Sequence, residues 1–251
     1  MYIKKLSSRK PIRALRFLFA TNAPYAIYKA YLKTYFRKKF VESNFSSMGR
    51  FKLDMEKGQF SNNWFTINIP YWNEVFHKFD FQNKSIKALE VGSWEGMSSL
   101  FILSTLPKAT LISVDTWQGA DEHQGSSTLQ IIEVNFDKNI EIYRDRSTKF
   151  KGTSFNFFNE YVVKDSFDLV YIDGSHHTDD VIIDAIKGFE LLNVGGIMIF
   201  DDYFWGYYNK PVDNPAGAIN AFLRLKEGAY EILCLYGQLI LRKTRDGRAI
   251  P

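Results

Sequence analysis

The run KALEVGSWEGMSSLFILSTL, residues 87–106, sets the tightest limit on the fold. KALEVG (87–92) reads as a buried strand, and MSSLFILSTL (97–106) as a helix whose apolar residues pack back on it. Between them Gly92 and Gly96 permit a tight turn and let a ligand approach the backbone closely. Amide groups at the start of the helix attract a carboxylate or a phosphate. The spacing is G-x-x-x-G, so the turn does not carry the full dinucleotide fingerprint G-x-G-x-x-G, and alone it is a weak signal.

The same alternation continues to the end of the chain. TLISVDTW (110–117) is a second strand, and a polar helical segment around 120–137 leads to IEIYRDRS (140–147). An aromatic stretch with Phe155, Phe157, Phe158 and Tyr161 follows. FDLVYIDG (167–174) is a strand, TDDVIIDAIKGFELL (178–192) a helix and GGIMIFDDY (195–203) a strand. Near-continuous apolar strands separated by helices predict an α/β protein with a mostly parallel sheet covered on both faces. The helix at 178–192 has Thr178 as its expected N-cap, Asp179 and Asp180 at its positive end, and Gly195 shortly after its last turn. AGAINAFLRLKEG reads as a further helix, and YEILCLYGQLILRK (230–243) as two strands meeting at Tyr236, Gly237 and Gln238, which requires an antiparallel hairpin.

A chain of 251 residues can bury a full core, and 45% hydrophobic with 24% charged residues argues against disorder along most of it. Cys234 is the one cysteine and lies in an apolar run, which excludes a disulfide framework and a cysteine zinc site. A reducing, cytoplasmic compartment is therefore expected.

Charge is uneven. Residues 1–40 carry 11 Lys or Arg and no acid, while the remainder holds 21 basic against 28 acidic residues, a net of −7. This arm has no uninterrupted apolar run near the ~20 residues needed to span a bilayer. From Tyr25 the spacing is helical: Tyr25, Tyr28, Leu32, Tyr35 and Phe36 share one face, while Lys29, Lys33 and Arg37 line another. A helix packed on the folded domain with its lysines in solvent is the plain explanation. Peripheral contact with an anionic membrane surface at its inner face, or with an anionic substrate, is the sharper one. No nucleic-acid motif accompanies the charge, so no nucleic acid is expected. The expected organisation is an arm at 1–60, a domain at 61–245 and a short tail at 246–251.

Asp115 ends the second strand, 23 residues after Gly92. A carboxylate there can accept both hydroxyl hydrogen bonds of a ribose; alternatively it caps a turn. Asp173 ends the strand at 167–174, and Asp201 with Asp202 ends the strand at 195–203. In the expected topology these two strands are neighbours, so three carboxylates converge. Three acids held together repel one another unless a cation lies among them, and oxygen ligands suit a hard divalent ion such as Mg²⁺. His176, three residues after Asp173, has an ordinary pKa suited to a general base near neutral pH.

The motif EVGSWEG, the acid-ended strand SVDTW and the closing hairpin, in that order, resemble the class I S-adenosylmethionine-dependent methyltransferases over about residues 60–243. Within that superfamily the chain looks closest to the metal-assisted macrocin and mycinamicin sugar O-methyltransferases, and more distantly to catechol O-methyltransferase. The resemblance implies a Rossmann-like, mostly parallel seven-stranded sheet ending in an antiparallel hairpin. It implies that Gly92, Ser93, Gly96 and Ser98 hold the methionine part of the cofactor, with Glu90 and Asp173 also on the cofactor's side. Asp115 takes the ribose, and Trp117 and Ser147 lie near the adenine. By the same resemblance Asp173, Asp201 and Asp202 hold the divalent ion and His176 is the base, in preference to His177. The expected reaction is transfer of a methyl group from S-adenosylmethionine to a hydroxyl of a small molecule or glycan, with the arm and NNWFTINIPYW (62–72) helping to build the acceptor side. A metal-dependent glycosyltransferase and a non-catalytic cofactor-binding or membrane-associated scaffold are the alternatives. Nothing in the sequence sets the oligomeric state.

Overall fold

The computed structural model describes residues 10–123, 125–161 and 166–246, so most of the expected tail and the first nine residues of the arm lie outside the described residues. The chain divides into two compact units, Lys39–Val162, and Met1–Lys38 with Val163–Pro251. Among the described residues the strands form a seven-stranded sheet in the order β3-β2-β1-β4-β5-β7-β6.

The unit at 39–162 contains β1 (Ile86–Val91), β2 (Ala109–Asp115) and β3 (Ser147–Lys151), paired parallel. Every residue of β1 except Lys87 is buried, as expected for a strand inside a parallel sheet. Helices α3 (Gly49–Met55), α4 (Ile69–Lys78), α5 (Met97–Thr105), α6 (Ile132–Ile140) and α7 (Ser154–Glu160) complete it. Residues Met97–Leu103 of α5 are all buried, so this helix is apolar all round and lies inside the core. Phe51, Phe65, Trp72 and Phe76 surround Phe101 of α5 with ring centroids 5.2–6.1 Å apart. Arg146 ties the far end of α5 to the start of β2 by donating to the carbonyls of Leu103 and Leu106 at the helix end and of Ala109 on the strand.

The other unit holds α1 (Pro11–Ala20), most of α2 (Tyr25–Asn44), β4 (Phe167–Ile172), α8 (Thr178–Leu191), β5 (Leu192–Phe200), α9 (Pro215–Leu225), β6 (Tyr230–Leu235) and β7 (Leu239–Lys243). β4 and β5 pair parallel; β7 is antiparallel to both β5 and β6, the hairpin expected at the end of the chain. Lys243 is buried, and its ammonium donates to the Phe189 and Leu192 carbonyls at the end of α8, so the hairpin and the helix close together. The start of α8 differs from expectation. His177 occupies the N-cap position, and Thr178 is the first helical residue, its hydroxyl donating instead to the Val212 carbonyl at 3.1 Å.

The first two helices pack on this unit through a face that the spacing did not single out. Ile27, Tyr31 and Thr34 of α2 are buried, with the Tyr31 ring edge-on to Phe204 at 5.8 Å and Thr34 bonded to the Leu235 amide. Tyr25, Leu32, Tyr35 and Phe36 lie in solvent together with Lys29 and Lys33. Aromatic residues ring this helix, so the buried side is chosen by fit to Phe204 and Cys234, not by the densest apolar stripe.

Candidate functional site

The candidate site residues fall into two groups at strand ends, one in each unit. In the 39–162 unit, β1 runs into a turn in which Gly92, Trp94 and Gly96 all have positive φ (85°, 48° and 80°). Glycine adopts this region freely; tryptophan does so only when the surroundings hold it there. What holds it is Asp115. Its Oδ2 accepts the amides of Ser93 (2.7 Å) and Trp94 (2.8 Å), and its Oδ1 accepts that of Trp117 (2.7 Å), a residue also at positive φ (54°). The Trp117 indole N–H then donates to the Trp94 carbonyl at 2.8 Å. Three backbone donors occupy most of the roughly four acceptor positions of a carboxylate, so Asp115 stabilises the turn and retains about one position for a ligand hydroxyl.

Glu90 lies beneath the turn and is fully buried. Its carboxylate accepts from the hydroxyls of Ser98 (2.5 Å), Ser99 and Ser113 (3.1 Å). Burial pushes the Glu90 carboxyl up from the ordinary carboxylate range, and the hydroxyls of Ser98 and Ser99 pull it part of the way back. Ser98 is therefore directed at Glu90. Because the native state holds this proton more tightly than the unfolded chain, the associated stability is full below the ordinary carboxylate pKa and is lost as pH rises through it toward the raised native value. Glu90→Gln, neutral at every pH, is expected to gain thermal midpoint relative to the native chain as pH rises from about 4.5 to 7.5. Scanning fluorimetry of both chains across that range checks this, and parallel curves refute it.

Trp94 Nε1 is buried without a hydrogen-bond partner among the described residues, and the buried Ser93 hydroxyl also faces Glu90. A polar atom left in that condition beside a glycine turn fits a polar ligand such as the aminoacyl end of S-adenosylmethionine. The Trp94 ring packs against His123 (4.6 Å) and Trp64 (5.6 Å), and Trp64 remains half exposed. Trp117 is buried against Phe136 with the Lys149 ammonium over its ring at 4.6 Å. Ser147 does not join this group. It opens β3 and pairs with Leu111, four residues before Asp115, which places it about 13 Å back along the strand. Lys151 stands beside Asp115 instead, and the Gly152 amide donates to the Asp115 carbonyl.

Glu95 was not legible as part of this region. It is 1% exposed and accepts from the Ser61 amide (2.6 Å), the Ser61 hydroxyl (2.9 Å) and Asn135 (2.8 Å), while Asn139 bonds the Glu95 and Gln59 carbonyls. These contacts fasten residues 59–61 and α6 to the turn.

In the other unit, Asp173 follows β4, and Asp201 and Asp202 follow β5. The buried Tyr171 hydroxyl lies 2.8 Å from Asp173 Oδ2 and 2.6 Å from Asp201 Oδ2, and Gln238 approaches it at 3.4 Å. Asp201 also accepts the Asp202 amide at 2.6 Å, and Asp202 itself has a φ of 52°. This left-handed residue turns the two adjacent acids apart. Asp201 is bound to Tyr171, whereas Asp202 Oδ2 stands 3.3 Å from His176 Nε2. One ligand atom from each of Asp173, His176 and Asp202 falls within 4.8 Å of the others, a spacing that fits a single cation; Asp201 is not in that group. Burial, then the charges of Asp201 and Asp202, push the Asp173 carboxyl well above the ordinary range, with Tyr171 and His176 opposing. Burial and the carboxylates of Asp173 and Asp201 push Tyr171 up as well.

Trp205 lies against the His176 ring with centroids 4.2 Å apart and is itself buried. His177 bonds the Tyr208 hydroxyl at 3.2 Å, and Asn214 holds the amides of Tyr207 and Tyr208. Asp173, Gly174, His176, Asp202, Pro215 and Ile219 line a small cavity here. Of these partners, Tyr171 had a usable signal: it is two residues before Asp173, on the same strand face.

A sheet of this strand order, with a glycine turn after its first strand and acids after its second, fourth and fifth, has the fold of the class I S-adenosylmethionine-dependent methyltransferases. Residues 89–203 match the family described as a methyltransferase domain. No curated protein matches the chain in sequence. Among solved structures, the MycE methyltransferase from the mycinamycin biosynthetic pathway, in complex with Mg, SAH and mycinamycin VI, is similar at a TM-score of 0.55 and 16% identity. The match covers 82% of this chain and 58% of that one, so the chain spans little more than half the length of MycE. The O-methyltransferase from Bacillus cereus in complex with SAH is similar at a TM-score of 0.56 and 14% identity, covering 82% of this chain and 96% of that one. A methyltransferase from Podospora anserina, SAH-bound, is similar at 0.52 and 16%, covering 82% and 93%.

Proposed function

We propose that the chain is an S-adenosylmethionine-dependent O-methyltransferase that methylates a sugar hydroxyl of a glycan or glycosylated metabolite with the help of a divalent cation. The observation that carries this reading is the placement of Asp173, His176 and Asp202 within ligand distance of one another after the fourth and fifth strands of a methyltransferase sheet. MycE, solved with Mg and SAH, and the SAH-bound B. cereus O-methyltransferase support it by fold.

S-adenosylmethionine, when bound, supplies a methyl group already activated on a sulfonium, so no covalent enzyme intermediate is required. Gly92, Ser93, Trp94 and Gly96 receive its aminoacyl end, and Asp115 accepts a ribose hydroxyl at its remaining acceptor position. Glu90 acts from beneath, holding the first turn of α5 through its serines. A divalent cation, when bound, supplies the positive charge that offsets the buried carboxylates and acidifies an acceptor hydroxyl. Asp173 and Asp202 hold it, and Asp201 serves as a positioning residue that fixes Asp173 through Tyr171. His176 takes the acceptor's hydroxyl proton, and Asp202 beside its Nε2 stabilises the imidazolium that results. Trp205 covers the ring and limits its access to water. The exposed face of Trp64, backed by Trp94 and His123, suits the apolar face of a sugar.

His176→Ala is the test. As a base it is replaced with a loss of at least about 10²-fold in kcat, with SAH and Mg²⁺ affinities nearly unchanged in calorimetry. The same grouping favours a second reading, in which His176 is a third ligand and the nitrogen selects a transition metal over Mg²⁺. Loss of metal affinity together with kcat identifies that reading. Tight binding of UDP or GDP without binding of SAH overturns both in favour of a glycosyltransferase.

A further inference from the structure

We infer that the outward faces of the first two helices form a docking surface for an anionic lipid bilayer. Both helices are anchored on one side only. Ala14, Phe17 and Leu18 of α1 are buried, with the Phe17 ring 5.5 Å from Phe204. Asn220 donates to the Thr21 carbonyl, Arg224 bonds the Asn22 carbonyl, and Thr34 reaches Cys234 and the Leu235 amide. Residues 11–38 are thus a fixed part of their unit, and their opposite side is presented in a defined orientation.

That opposite side is apolar and cationic at once. On α1, Ile12 (68% exposed) and Phe19 (82%) share a stripe with Arg16, at the i, i+4, i+7 spacing of one helix face, and Arg13 adjoins it. On α2, Tyr25 (73%) and Phe36 (80%) line up with Leu32 and are interleaved with Lys29 and Lys33. Lys29 lies over the Tyr25 ring at 4.7 Å. Large apolar side chains at this exposure need a partner that takes apolar surface, and the surrounding lysines and arginines need one that carries negative charge. A bilayer with anionic headgroups offers both, the aromatic and aliphatic tips entering the headgroup boundary while the cations meet the headgroups.

The alternatives fit less well. A second copy of the chain would bring two cationic faces together. A nucleic acid accounts for the charge but not for Ile12, Leu32 or Phe36. No helix among the described residues is long and apolar enough to cross a membrane. The charge asymmetry supports one orientation: the first 40 residues carry 11 basic and no acidic side chains, while the rest is net −7. An anionic surface therefore attracts the arm and repels the rest of the chain.

The experiment is flotation of the full-length chain with vesicles of phosphatidylcholine alone or mixed with phosphatidylglycerol. The chain is expected to float with the mixed vesicles, to stay behind with the neutral ones, and to be released at about 0.5 M salt. Lys29→Glu with Lys33→Glu, and separately Ile12→Ser with Phe19→Ser and Phe36→Ser, are each expected to weaken partitioning at least about tenfold, with SAH binding in calorimetry serving as the check on folding. Salt release of the unsubstituted chain probes the same contact should a variant misfold. Equal recovery with and without phosphatidylglycerol, salt-insensitive flotation, or a concentration-dependent dimer lost in the apolar variant would each overturn the inference.

Discussion

Asp202→Asn is expected to lower methyl transfer at least about 10²-fold and to remove its response to added Mg²⁺. Asparagine is the informative replacement because residue 202 has a φ of 52°, a region that Asn shares with Asp and that alanine resists. The turn after β5 is kept, the amide still donates to Asp201, and only the charge is removed. Without it the proposed cation loses one of its two carboxylates, and His176 loses the carboxylate 3.3 Å from its Nε2. One substitution thus acts on both halves of the proposed chemistry. Titration of Mg²⁺ against single-turnover rates separates them: a metal effect is partly restored at high Mg²⁺, and a base effect is not. A fully active variant indifferent to chelators would remove the cation from the mechanism.

The second large effect is expected at Asp115. Asp115→Ala strips acceptors from three backbone amides, those of Ser93, Trp94 and Trp117, two of which belong to tryptophans in left-handed backbone. Losing three charge-assisted bonds costs about 3–5 kcal/mol. For a chain of this length that lowers the thermal midpoint by roughly 8–15 °C. SAH affinity is expected to fall at least about 10²-fold, because the turn that receives it is no longer formed and the ribose loses its acceptor. Calorimetry at a temperature where the variant remains folded distinguishes the two contributions. A destabilised variant with unchanged affinity assigns Asp115 to architecture alone.

Strands β1, β2, β4 and β5 and helices α5 and α8 were legible because a parallel sheet requires apolar runs, and few other local structures produce them at such regular spacing; β3 and α7 were not assigned, and the segment read as helical around 120–137 is α-helical only from Ile132, because these short, half-exposed elements carry no such run. The strand-end acids and the glycine turn were legible for the same reason: position relative to a strand end is countable. What each acid does was not. Asp201 and Asp202 are the same residue type side by side, and the backbone reversal at Asp202 sends one toward Tyr171 and the other toward His176. The distance of Ser147 from Asp115 was not legible, because parallel register is set by the neighbouring strand and not by the strand's own sequence. Glu90 and Ser98 are in the motif, yet they bond to each other inside the core, where the β1–β2 register also sets Ser113 opposite Glu90. On α2, aromatic residues surround the helix, so hydrophobicity alone did not identify the side that packs.

The tie between Asp115 and the turn makes the proposed cofactor loop a non-portable motif. The segment 89–99 contains every residue by which the loop is recognised, yet the groups that set its shape come from 115–117 on the next strand. A graft of the loop into another sheet needs both pieces and the β1–β2 register between them. Substitutions at Thr116, which contributes no side chain to the loop, can still alter cofactor binding by shifting Asp115 relative to Trp117.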